Sequence, residues 1–325
     1  MSARRGAAGL LALLMLLAIA APFVSPHDPS ERFPDLPDAP PTPLRLFTAG
    51  GQWCGLCFHP QRLVSRLERR FEIDTTAPVP VHLFSRGRLI ADSGDPGTPL
   101  LLAGTDASGR DVFARLIFGA RASLGVAIIA VLGAVALGLT IGGLAGARGG
   151  WVDTWLMRLA DAIAVLPAIY VVVTLRAALP LVLPVATVFA LITLLLAVVG
   201  APWIARGVRA IVSVERTLGH VEAARALGAS STRILLQHLL PATRGFIMRQ
   251  AALLLPAFVL AEATLSFVGL GLPDTVPSWG TSLQEAANVS AIAAFPWLLA
   301  PAGAVFLVTL LVNVALGEHD ADRVL

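Results

Sequence analysis

Two cysteines three residues apart, in the run Trp53-Cys54-Gly55-Leu56-Cys57, open three chemistries. A dithiol placed between a strand and a helix exchanges electrons when a sheet-based domain surrounds it. A zinc site would recruit Cys54 and Cys57 with His59 and His82, but Cys-x2-Cys-x-His with a distant fourth ligand is not a usual zinc spacing. In an oxidising compartment the pair closes a local disulfide, and two cysteines allow no larger framework. LRLF before the pair and PQRLVSRL after it fit the dithiol order locally. The stretch up to Leu100 is nevertheless too short for the remaining sheet and helices. The expectation is therefore a Cys54–Cys57 disulfide, inert thiols, or a pair packed against a neighbouring subunit, with no metal site.

The elements that position these residues follow from composition. The 325-residue chain is 56% hydrophobic and 14% charged, whereas a soluble domain is nearer one quarter charged, so the chain is expected to be a membrane protein. All 24 basic residues are arginine, so no lysine is present for a Walker A phosphate loop. The arginines are scattered between apolar runs and form no basic face for nucleic acid. Apolar runs of roughly 20 residues can cross a bilayer. They occur over Gly6–Val24, Ala122–Ala147, Val152–Leu175, Pro184–Ile204, Gln250–Leu272 and Ala291–Gly317. The first has a rival reading as a cleaved signal peptide, with Arg4 and Arg5 ahead of an apolar core and Ala18-Ile19-Ala20 at its end.

Arginine placement sets sidedness. Arg4 and Arg5 precede the first span, and the segment Ala205–Arg249 carries seven arginines against Glu215 and Glu222. The reading is an all-α integral membrane protein with six transmembrane helices and both termini cytoplasmic. Residues 1–25 form the first helix and 26–115 a periplasmic insertion between helices 1 and 2. Residues 116–317 form a five-helix core, with a cytoplasmic coupling loop at 205–249 between helices 4 and 5, and 318–325 a cytoplasmic tail. Within the insertion, PQRLVSRLERRF is expected to form an amphipathic helix with Leu63, Val64, Leu67 and Phe71 on one face. VHLFSRGRLI is expected to form a hairpin turning near Gly87.

The cytoplasmic loop contains HVEAARALGASSTRILLQHLLP, His220 to Pro241. Glu222–Leu227 reads as a short Ala-rich helix and Gly228 as a chain reversal. Thr232–Leu240 reads as a second helix, capped by Ser230 or Ser231 and stopped by Pro241. Ala223 and Ala224 leave a small-residue face able to enter a partner's groove, with Glu222 and Arg225 at its rim.

Here the chain resembles a family. Glu-Ala-Ala, three residues, Gly, nine residues, an apolar position and Leu-Pro are similar to the coupling-loop signature of ATP-binding-cassette importer permeases. Glu222, Ala223, Ala224, Gly228, Leu240 and Pro241 fall on its fixed positions, and His238 departs from the aliphatic residue often found there. GTDASGRDVFARLIFGARASL (Gly104–Leu124), GARGGWVDTWLMRLAD and AEATLSFVGLGLPDTVPSWG (Ala261–Gly280) resemble the second permease of dipeptide, oligopeptide and nickel importers. The resemblance covers most of the chain from Gly104 onward and leaves the cysteines outside it. It implies a homologous second permease, two ATP-binding subunits, a periplasmic solute-binding protein, contact with membrane lipid, no cofactor, and no ATPase site in this chain. A stand-alone secondary transporter or channel would explain the spans but not the coupling signature, and a membrane-anchored redox protein only the cysteines.

Four features inside the spans complete the reading. Glu262 must face the bundle interior, a partner or a translocation path, because a mid-bilayer carboxylate costs on the order of 2.5 to 3.5 kcal/mol. Asp161 is expected to pair with Arg158, one turn before it. Gly138, Gly142 and Gly146 recur every four residues and form a ridge for close helix contact, within the subunit or between permeases. Pro167, Pro184, Pro256 and Pro296 suggest bends.

Overall fold

A run of apolar residues in lipid must satisfy its own backbone, and a helix does so within one segment. The computed structural model describes residues 2–48, 52–66, 68–75, 78–85, 87–91, 98–167, 170–171, 174 and 183–317. In chain order, α1 (Ser2–Ile19) and α2 (Ala21–Val24) lead into seven short strands. These are β1 (Arg45–Phe47), β2 (Trp53–Phe58), β3 (Gln61–Ser65), β4 (Arg70–Ile73), β5 (Val79–Pro80), β6 (His82–Ser85) and β7 (Arg88–Ala91). Helices α3 (Val112–Arg148), α4 (Gly150–Val165), α5 (Val185–Glu215), α6 (Gly219–Ala226) and α7 (Ser231–Ile234) follow. A π-helical turn (Leu235–Leu239) joins α7 to α8 (Leu240–Ala242) and α9 (Arg244–Phe267). The chain continues with α10 (Trp279–Glu285), α11 (Val289–Ala294) and, after a 3-10 turn at Pro296–Leu299, α12 (Ala300–Gly317).

Among the described residues, four helices are long and apolar enough to cross a membrane: α3, α5, α9 and Pro296–Ala315. The apolar part of α1, Gly6–Ile19, is shorter. Helix α4 ends at Val165 because Leu166, which precedes Pro167, is extended (ψ 119°). Residues 168–169, 172–173 and 175 of the expected third span lie outside the described residues, as does the 318–325 tail. Helix α5 runs to Glu215, well past the expected end at Ile204. Arg206 and Arg209, which begin the expected loop, are instead held on the helix by carboxylates of α4.

The described residues divide into two compact units, 125–262 with 312–317 and 2–124 with 263–311. In the first, glycines let α3 and α5 approach closely. A Cβ on Gly138 would lie 2.5 Å from the Ile204 Cβ. One on Gly142 would lie 2.9 Å from the Val208 Cβ, and one on Gly146 2.9 Å from the Arg209 carbonyl. The ridge is thus filled by α5 of the same chain.

In the second unit β1, β2 and β5 form a three-stranded antiparallel sheet, while β3–β4 and β6–β7 are separate hairpins. Phe58, Val81 and Leu100 make one small core, and Phe33, Leu36, Ala39 and Leu101 another, against which Phe71 packs. The helix expected over 60–71 is not there. Gln61–Ser65 pairs with Arg70–Ile73, Leu63 opposite Phe71. Leu63 and Phe71 face each other across the hairpin while Val64 is 55% exposed, and a helix this short is marginal without a large apolar face to bury. Leu67 lies outside the described residues. The β6–β7 hairpin reverses at Gly87, which adopts φ +74°.

Candidate functional site

The region from Gly219 to Ala242 forms an exposed elbow built from local rules. Helix α6 ends in a Schellman arrangement: Gly228 N–H donates to the Arg225 carbonyl at 3.0 Å, and Ala229 N–H to the Ala224 carbonyl at 3.1 Å. Gly228 carries the left-handed conformation this needs, φ +84°. No atom would meet a Cβ there, so conformation and not space selects glycine. Ser230 then caps α7, its hydroxyl accepting from the Arg233 N–H.

Beyond this cap the helix does not stop at Pro241. Proline lacks the N–H that would bond one turn back and its ring crowds that carbonyl. The π turn at Leu235–Leu239 immediately precedes it, and this wider turn accommodates the ring so that helix resumes at Leu240.

Burial divides the elbow into an anchored and a free face. Val221, Ile234 and Leu239 are buried, whereas Glu222, Ala223, Arg225, Gly228 and Pro241 are exposed and Ala224 half-buried. Leu227 is 89% exposed, an apolar tip that the sequence motif did not single out. Leu240 and Leu235 fasten the elbow to α3: a Cβ on Gly143 would lie 3.1 Å from the Leu240 Cδ2 and 3.7 Å from the Leu235 Cδ1. His220 Nε2 lies 3.4 Å from a Glu215 carboxylate oxygen at the end of α5. The elbow is therefore tied to the helices of the glycine seam.

Two further ties join α4 to α5. Arg209 donates to both carboxylate oxygens of Asp153, at 2.9 and 2.5 Å. Arg206 donates twice to Asp161, at 3.1 and 2.7 Å. Asp161 thus pairs across to α5 and not with Arg158, whose guanidinium stacks 5.7 Å from the Trp155 ring. An Arg placed before its acid on one helix is the weaker orientation, and a facing guanidinium supplies a better donor fork.

The second unit holds a different polar structure. Arg110, 5% exposed, donates to Asp106 at 2.7 Å, to Asp274 at 2.7 Å and to Glu285 at 2.5 Å. Arg115 reaches Asp274 at 3.3 Å. Burial opposes the Arg110 charge, but its hydrogen bond to Asp274 and the adjacent Asp106 outweigh it and lift its pKa above the ordinary arginine value. Burial also opposes the Asp274 charge, yet the Arg110 bond holds that carboxyl below its usual range. Two guanidiniums face three carboxylates, and the excess charge falls on Glu285. Burial first and the Asp106 charge second push Glu285 up to about 7, against the pull of Arg110. The sequence motifs around Gly104–Leu124 and Ala261–Gly280 contain four of these five residues, but their pairing became visible only in the fold.

The other expected residues are not part of the elbow. Glu262 is completely buried in α9, about 27 Å along the helix from Arg244 at 1.5 Å per residue. Cys54 and Cys57 are joined in a disulfide within β2. A dithiol between strand and helix is thus not formed, and both thiols a zinc site would use are consumed. His82 is exposed on β6.

A helical protein with membrane-spanning helices and a glycine-hinged elbow tied into them defines the class, and residues 138–319 match the family described as binding-protein-dependent transport system inner membrane component. The chain belongs to that family. It is 35% identical over 203 residues to the oligopeptide transport system permease protein OppC of Bacillus subtilis, covering 62% of this chain and 63% of that protein. It is 34% identical over 219 residues to the glutathione transport system permease protein GsiD of Pectobacterium atrosepticum, covering 67% and 70%. It is 36% identical over 220 residues to the dipeptide transport system permease protein DppC of Alkalihalophilus pseudofirmus, again 67% and 70%. A chain of an inward-facing MetNI methionine ABC transporter structure aligns with a TM-score of 0.48 and 21% identity, over 63% of this chain and 96% of that one.

Proposed function

We propose that this chain is a transmembrane permease subunit of an ATP-binding-cassette importer for peptides or a related small solute. It forms the translocation path with a second, homologous permease. Two ATP-binding subunits dock on the free face of α6 and drive the spans between inward- and outward-facing arrangements. A periplasmic solute-binding protein delivers the substrate, and the chain has no ATPase site of its own. The reading takes α1 and the region from α4 to Leu175 as two further spans, giving six in the bacterial inner membrane. Both termini and the elbow lie in the cytoplasm and residues 26–115 in the periplasm. Glu262 either lines the path or bonds between helices.

One observation carries this reading. The elbow offers Glu222, Ala223, Arg225 and Leu227 outward while Leu235 and Leu240 grip α3 beside the glycine seam. A push on the free face is thereby delivered to packed helices. The names of the relatives supply the substrate class, and the arginine bias supplies the sidedness. The test is transport and substrate-stimulated ATPase in the assembled complex with Glu222→Ala or Gly228→Val. Both activities should fall while membrane insertion and complex yield hold. Wild-type coupling in both variants would contradict the assignment.

A further inference from the structure

The second unit leaves an apolar seam exposed that begins on α1 and continues onto a hairpin. Leu10, Leu13, Leu16 and Ile19 of α1 are exposed, as is Phe23 of α2. The Phe23 ring lies 6.3 Å from the ring of Phe84, at the end of β6. Leu83 and Phe84 are 55% and 74% exposed. Phe84 also adopts φ +54°, a left-handed conformation that disfavours a large aromatic side chain and that glycine or asparagine would take at less cost. Among the described residues its aromatic neighbour is Phe23, and Phe84 stays largely exposed.

Length sets the depth of the seam. The apolar part of α1, Gly6–Ile19, spans about 21 Å at 1.5 Å per residue, and α2 (Ala21–Val24) carries the apolar run on toward the roughly 30 Å of a bilayer's hydrocarbon core. With the run Gly6–Val24 across the membrane and Arg4 and Arg5 outside it, Phe23 lies at its far end, at the interface. Phe84 touches Phe23 and shares that depth, where aromatic rings are favoured.

We propose that the β6–β7 hairpin dips Leu83 and Phe84 into the lipid interface of the leaflet from which α1 emerges, anchoring the 26–115 segment to the membrane surface. The proposal rests on the reading of α1 as a membrane span. Its occupant is lipid, because the hairpin's exposed apolar residues continue the exposed face of a helix that is itself in lipid.

The test places a single environment-sensitive fluorophore at Phe84→Cys, with the Cys54–Cys57 disulfide left oxidised, in the assembled transporter. The transporter is reconstituted in phosphatidylcholine–phosphatidylglycerol vesicles. A lipid bearing a nitroxide just below the glycerol should quench the label severalfold more strongly than aqueous iodide does. Strong iodide quenching without lipid quenching would overturn the proposal, placing the hairpin in water. Protection from both quenchers would overturn it in favour of a protein partner. A second label at Leu16→Cys separates the two readings. Lipid quenching at 16 but not at 84 rejects the hairpin contact alone, whereas none at 16 rejects the span on which it rests.

Discussion

Helices α3 and α5 meet through glycines, with backbone against side chain and no charge along the seam at Gly138 and Gly142. Residues 104–115 and 274–285 meet instead through Arg110 and Arg115, each flanked by carboxylates. The two contacts use different physics because they are asked for different things. Between helices in lipid, apolar burial gives little net drive, so close packing by small residues supplies the attraction. A buried ion cluster has fixed donor directions and resists displacement, since separating any pair strands a charge. On the proposed function, displacement is expected along the seam next to the elbow and not across the cluster.

Breaking the cluster should have the largest effect. Arg110→Leu leaves Asp106, Asp274 and Glu285 facing Arg115 alone, and removing one partner from a buried pair costs about 3–5 kcal/mol. Thermal unfolding of the purified complex should fall accordingly, with Arg110→Lys recovering only part because lysine lacks the planar fork. An unchanged midpoint for Arg110→Leu would show that the cluster is no lock.

Overfilling the seam comes next. Gly142→Val places branched carbon against Val208 and the α5 backbone, and overpacking costs about 1–3 kcal/mol. Transport should drop more than stability, because the two helices can no longer approach. Gly146→Ala serves as the milder step in the same series.

At the hinge, Gly228→Ala should cost about 1–2 kcal/mol for the left-handed conformation, and Gly228→Asn less. Substrate-stimulated ATPase should follow the order Gly, Asn, Ala. Equal activity in all three would detach the hinge from coupling.

The last effect is a pH dependence. Glu285 has a folded pKa of about 7, above the ordinary glutamate value, so the folded state binds the extra proton. Its stabilising contribution is complete below the unfolded pKa and is lost as pH rises through about 7. Between those limits the wild-type complex should become less stable with rising pH, and Glu285→Gln should flatten that slope. Identical slopes would assign the pH dependence to other groups.

Much of the helical framework was legible because charge-free runs have few alternatives. The Gly228 reversal and the Ser230 cap could be read for a similar reason: each depends on neighbours within four residues. The four-residue glycine spacing said that Gly138, Gly142 and Gly146 share a face, but not that α5 fills it. For Asp161 the sequence displays Arg158 one turn before it, whereas its partner Arg206 stands 45 positions away on another helix. Pro241 was read as a stop because the π turn that accommodates it leaves no compositional mark. In the 60–71 segment the four-residue spacing of Leu63, Leu67 and Phe71 suits a helical face, while the pairing of Leu63 with Phe71 across a hairpin leaves no mark in that spacing. The Arg110 cluster required bringing together residues more than 150 positions apart, which no local pattern encodes.

The most direct measurement is photo-crosslinking from position 227 in the assembled transporter, with a benzophenone amino acid replacing the exposed Leu227. The account predicts an adduct with an ATP-binding subunit whose yield changes when nucleotide closes that subunit. An adduct only with extracytoplasmic protein, or none with an ATP-binding subunit in any nucleotide state, would contradict it.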